Sequence, residues 1–199
     1  MKCFLINFSL LFLLSSCVET VIVGSVATGA IVAGHSSIEE TKNDTIIAAK
    51  LTKSFIENGL KNLGSYVEFE VSEGRVLLLG IVDRRETARI AQELAWKIEG
   101  VREVIDEIQL KNKMKSKTAS FFRSIRDYLV TGDARVRLLF ARDVSSLNYE
   151  LTTIDGSLYL LGIADNDFEM RRVNSIASRI SGVKRVVNHV VAKNDERRN

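Results

Sequence analysis

A ten-residue run occurs twice in this chain, and that duplication limits what the chain can fold into. Residues 74–83 read GRVLLLGIVD and residues 156–165 read GSLYLLGIAD, about 82 positions later. The match continues without a gap through Gly100-Val101-Arg102-Glu103-Val104 against Gly182-Val183-Lys184-Arg185-Val186, then Lys111-Asn112 against Lys193-Asn194. About a third of the positions between Tyr66 and Asn112 are identical in the second copy, beyond chance for an ungapped alignment. Two copies of one small domain therefore fill most of the 199 residues.

Each copy reads as an αββαβ unit. Val67, Phe69 and Val71 alternate with Glu68 and Glu70, a strand with one apolar face. Glu73-Gly74 supplies a tight reversal, and residues 75–82 return as a nearly continuous apolar run, the pattern of a strand covered on both sides. Leu147, Tyr149 and Leu151, the Asp155-Gly156 turn and residues 158–164 repeat that logic. Leu79 and Leu161 read as core residues of their own copies. Asp83 with Glu86, and Asn166 with Glu169, have the spacing of helix-start capping boxes. The following helices keep one stripe, Ala91, Leu94, Ala95 and Ile98 matching Val173, Ile176, Ala177 and Ile180, with Gly100 and Gly182 at the expected C-caps. Trp96, beside that stripe, reads as packing. Last strands at 101–110 and 183–192 complete a three-stranded mixed sheet with helices on one face, an α+β fold.

Apolar strand, Gly turn, Leu-Leu-Gly, Asp, amphipathic helix, Gly-Val and a final strand together resemble the BON domain. Two such domains behind a lipoprotein signal resemble the dual-BON outer-membrane lipoproteins of Gram-negative bacteria. The resemblance covers roughly residues 44–193. Its motif is structural, so the glycines and leucines build the domain and constitute no site.

The expected layout is a signal peptide over 1–16, a lipidated spacer over 17–42, domains at 43–112 and 113–194, and a polar, frayed tail at 195–199. Met1-Lys2 is a basic start and residues 4–14 an apolar stretch too short to span a bilayer. Leu14-Ser15-Ser16-Cys17 follows, with the order of a bacterial lipobox, the alternative being an ordinary secretory signal with a chance Cys. Lipidation at Cys17 leaves the mature chain without a free thiol, since Cys3 departs with the signal. Val18, in place of an Asp after the Cys, implies by the sorting rule of such relatives an outer-membrane address, with the chain facing the periplasm. Residues 21–34 (VIVGSVATGAIVAG) read either as a membrane-hugging spacer or as a short helix packing through Ser25, Gly29 and Ala33.

The first domain opens on a helix over 44–56, with Asn43 or Asp44 as N-cap and Ile47, Lys50, Leu51 and Ser54 setting its register. Residues 111–126 carry Lys111, Lys113, Lys115, Lys117, Arg123 and Arg126 and no acid. Within and just beyond them Phe121, Phe122, Ile125, Tyr128 and Leu129 share one helical face. That composition suits an element lying in an anionic membrane surface, or equally the domain's own packing helix beside a solvated linker. The dual-BON resemblance implies the first, since those relatives present the N-terminal helical region of their second domain, with an aromatic residue, to anionic phospholipid. The candidate phospholipid-binding residues are thus Phe121, Phe122, Arg123, Arg126, Tyr128 and Leu129; by chain position Tyr128 and Leu129 match best, and no Trp stands there. Gly132-Asp133 permits a bend, after which Val136, Leu139 and Phe140 read as the second domain's packing face. Arg135, Arg137 and Arg142 around it could fork onto phosphates.

Nothing in the chain assembles a catalytic set. His35 and His189 have no carboxylate or Cys cluster at ligand spacing, and no phosphate-cradling Gly loop or nucleophile elbow occurs. No enzyme, cofactor or metal is expected. Cleavage after residue 16 removes one of 28 basic groups (Lys2), leaving 27 against 25 acidic, a net of +2 that recommends no nucleic acid. The function expected is non-catalytic binding of anionic phospholipid in support of envelope integrity. The rival is a protein adaptor, the same helices docking an outer-membrane assembly machine or the cell wall.

Overall fold

The computed structural model describes residues 38–62, 65–111 and 117–198. Cys17, the 21–34 segment and His35 lie outside them. The first domain runs α1 (Ile38–Glu57), β1 (Lys61–Asn62), β2 (Ser65–Ser72), β3 (Arg75–Val82), α2 (Arg85–Trp96) and β4 (Glu103–Leu110). The second runs α3 (Lys117–Leu139), β5 (Tyr149–Ile154), β6 (Ser157–Ala164), α4 (Asp167–Ser178) and β7 (Arg185–Ala192). Both are αββαβ units. In each, the hairpin pairs antiparallel and the last strand adds in parallel, giving the orders β1-β2-β3-β4 and β5-β6-β7. The two-residue β1, at the edge of the first sheet, has no counterpart in the second among the described residues.

Gly80 and Gly162 occupy the same place in both copies. Their φ values are +137° and +145°, and a Cβ would stand 2.1 Å from the Tyr66 carbonyl oxygen or 2.0 Å from that of Asn148. Only glycine lets the hairpin strands approach so closely there.

The alternation of β3 decides where the two cores lie. Val76, Leu78 and Val82 face α1 and α2, joining Ile47, Leu51, Phe55, Val67, Ala91 and Ala95. In the second domain Leu158, Leu160 and Ala164 face α3 and α4, with Val130, Ala134, Leu138, Val173 and Ala177. The opposite sides of both sheets meet each other. Leu77, Leu79, Tyr159 and Leu161 form a third, fully buried cluster with Ile105, Ile154 and Val187 against it. Leu79 and Leu161 are therefore not core residues of their own copies but the joint between copies. A strand whose successive side chains point to opposite faces can be apolar throughout only if both faces are covered, and the second cover here is the other domain.

The joint has the form of an isologous dimer within one chain. Thr152 donates from its hydroxyl to Glu70, and His189 Nε2 lies 3.1 Å from Glu107 Oε1. In both pairs a residue meets its own counterpart in the repeat, 82 positions away, as a two-fold relation requires. Gln109 Nε2 donates to the Tyr159 hydroxyl at 2.8 Å, and Arg75 Nη1 to the His189 carbonyl at 3.0 Å. The C-terminal tail is not frayed but fastened. Arg198 forks onto the buried Glu73 carboxylate at 2.8 and 2.6 Å, and its carbonyl accepts from Arg102.

Local expectations divide. Asn166 caps α4, its side chain accepting from the Glu169 amide at 3.0 Å. Arg84 stands at the start of α2 with no side-chain cap, and Glu86 instead pairs with Arg89. The helices stop at Trp96 and Ser178, ahead of Gly100 and Gly182, which lie in the following turns beneath Ile47 and Val130. Trp96 is 56% exposed and stands outside the first core. Asn43 and Asp44 are not caps either, because α1 already begins at Ile38, and its buried register is Ile47, Leu51 and Phe55.

Candidate functional site

Asp44 and its counterpart Asp127 hold the two hairpins. Asp44 accepts from the amides of Glu73 and Gly74 at 2.7 and 2.8 Å, and Asp127 from those of Asp155 and Gly156 at 2.7 and 3.0 Å. All four turn residues have positive φ, so each hairpin turns its amides toward the helix. Burial raises both carboxyl pKa values, while the turn amides pull them back down. Sequence reasoning reads Asp44 as an N-cap and gives Asp127 no role, because a helix-to-turn contact about 29 residues away leaves no local periodicity.

The same anchoring fixes the rotation of α1 and α3, so their outward faces can be compared position by position. Ile47, Leu51 and Phe55 point into the first core, and Val130, Ala134 and Leu138 into the second. The opposite side of α3 carries Ile125, Tyr128, Leu129, Gly132, Val136 and Leu139, with Phe140 just past its end, all exposed. At about 100° per residue these positions fall on one continuous face. Tyr128 is 79% exposed, Leu129 64% and Phe140 80%. The matching face of α1 carries Lys42, Thr45, Ile46, Ala49, Lys53, Ile56 and Glu57.

One fold thus builds the same helix twice and makes its outward face strongly apolar only once. The packing of the domain does not require that apolarity, since the first copy folds without it. Val136, Leu139 and Phe140, read from sequence as packing residues, belong to this outward face. The helix passes through Gly132 unbroken, which keeps the two halves of the face in line.

Arginines border the stripe. Arg126 donates to the Gly182 carbonyl at 3.1 Å, Arg137 pairs with Asp133 at 2.9 Å, and Arg135 donates to the Leu151 carbonyl at 3.1 Å. Phe121, Phe122 and Arg123 fall within the first turns of α3, and their side chains lie outside the described residues. Tyr128, Leu129 and Arg126 are thereby brought onto one exposed helix surface. Among the described residues no group of His, Cys, Asp and Glu could hold a metal ion, and no helix is long and apolar enough to cross a membrane.

The profile of the BON domain matches residues 43–112 and again residues 129–194. The chain belongs to the BON-domain family. It is 32% identical over 157 residues to an uncharacterized protein in the gshII 5' region of Anaplasma centrale, covering 78% of this chain and 99% of that one. Osmotically-inducible protein Y of Escherichia coli is 26% identical over 152 residues, covering 76% and 73%. Outer membrane lipoprotein DolP of Haemophilus influenzae is 25% identical over 174 residues, covering 87% of each chain. The family resemblance and the fold class read from the sequence therefore hold.

Proposed function

We propose that this BON-domain protein is an envelope lipoprotein, held in the outer membrane through Cys17 and facing the periplasm, that binds anionic phospholipid without catalysis through α3. The asymmetry between the two copies carries the reading: an outward helix face that the fold leaves free is mixed on α1, where Lys42, Lys53 and Glu57 interrupt Ile46 and Ile56, and continuously apolar, with arginines beside it, on α3. Such a helix seats its apolar side at the headgroup–acyl boundary while its basic flanks meet lipid phosphates. The kinship with an outer membrane lipoprotein supports the address, and the lipobox supports the anchor.

Vesicle co-sedimentation tests the contact. The unlipidated chain should pellet with anionic vesicles, release as salt rises, and stay in solution with neutral ones. Equal binding to both vesicle types, or none, would remove the lipid reading and leave an envelope protein as the partner for the stripe. Metabolic labelling with a radioactive fatty acid tests the anchor. Label should enter the wild type and disappear from Cys17→Ser, and label kept by the variant would refute lipidation at that residue.

A further inference from the structure

At one side of the joint between the domains, carboxylates of both copies gather around Glu70. On β2, Glu70 sits half-buried with its carboxylate on the Thr152 hydroxyl of β5. In register, Glu70 and Glu68 stand opposite Leu77 and Leu79, and Glu150 and Thr152 opposite Leu161 and Tyr159, so all four share the face that meets the other sheet. Arg135 from α3 acts on Glu70 with the opposite sign. Asp44, from α1, adds a further negative influence on Glu150. With Glu70 and Glu150 ionised against Arg135 the trio carries −1, and one proton brings it to neutrality.

We propose that the Glu70–Thr152–Glu150–Arg135 cluster makes the joint between the two BON domains proton-sensitive, closed most tightly when Glu70 carries a proton. Burial first, then the neighbouring carboxylates, push the Glu70 pKa up to about 7, against the Thr152 hydroxyl and Arg135, which favour the ionised form. A folded-state pKa above the unfolded one stabilises the closed protein below the unfolded value, and that stability is lost as pH rises toward and through 7. The device is independent of the lipid reading, since it concerns the buried side of the sheets and not the outer face of α3.

Urea unfolding of the full chain between pH 5 and 8, with amide exchange in β2 and β5 as the local readout, tests it. The unfolding equilibrium constant of the wild type should rise on the order of tenfold or more over that range, and Glu70→Gln should lose most of the rise. Exchange in β2 and β5, corrected for its intrinsic pH dependence, should quicken in the wild type and not in the variant. Parallel pH profiles for the two proteins would overturn the proposal. The joint also contains the His189–Glu107 pair, so a pH dependence abolished by His189→Gln and kept by Glu70→Gln would overturn it too. If Glu70→Gln does not fold, Thr152→Val decides. Losing the hydroxyl that favours the ionised form should move the fall in stability to higher pH, and an unmoved fall refutes the assignment.

Discussion

Replacing Leu161 with aspartate is expected to weaken both domains together, although the residue belongs to the second. Its side chain is fully buried, and its neighbours are Leu77 and Leu79 of the other copy as well as Tyr159 of its own. A carboxylate there meets neither water nor a cation among these neighbours, so the cost combines a lost leucine with an uncompensated charge and exceeds about 4 kcal/mol. That is a large share of what a domain of this size has to lose. A gentler pair of truncations shows the direction of the coupling. Leu79→Ala and Leu161→Ala each remove a buried leucine, at about 2–5 kcal/mol, from one shared cluster. Their combination should depart from additivity by about 0.5–3 kcal/mol. Leu78→Ala and Leu160→Ala remove the same chemistry from two separate cores and should add within about 0.5 kcal/mol. Equal additivity in both pairs would mean that the sheets touch without holding each other.

The duplicated strand makes the fold legible in the sequence, because a repeat about 82 residues apart fixes two copies of whatever the first copy is. It left the joint hidden. Residues 75–82 announce a strand covered on both faces, yet the pattern cannot say whether the second cover is a helix of the same copy or the sheet of the other. Glu70 falls on the polar face of an alternating strand, and that face is the one at the joint.

The second helix misled in a more instructive way. Its buried face is Val130, Ala134 and Leu138, with small Ala134 at the centre where the helix comes down on the sheet. Its exposed face holds the larger side chains, Tyr128, Leu129, Leu139 and Phe140. A periodicity argument weights size and hydrophobicity, so it assigned Val136, Leu139 and Phe140 to the core. Two apolar faces on one helix cannot be ranked by sequence alone. The copy that carries only one of them ranks them at once.

That comparison also supplies the sharpest test of the membrane contact. Tyr128→Glu with Leu129→Glu should abolish binding of the unlipidated chain to anionic vesicles while leaving its stability within about 0.5 kcal/mol of wild type. The stability forecast follows from exposure, since both side chains already stand mostly in water at 79% and 64%. The binding forecast follows from what the membrane would take up. Each large apolar side chain contributes about 1.5–3 kcal/mol when buried, and each new carboxylate is repelled by an anionic surface by roughly 1 kcal/mol. Together these remove several kcal/mol, a drop in affinity of at least about 100-fold. The repeat provides the matched control. Thr45→Glu with Ile46→Glu places the same charges at the equivalent turn of α1, whose face Lys42, Lys53 and Glu57 already interrupt, and should leave vesicle binding unchanged. If both double variants bind as the wild type does, the apolar face of α3 serves another partner. If the α1 variant loses binding as fully as the α3 variant, general charge rather than this stripe brings the protein to lipid.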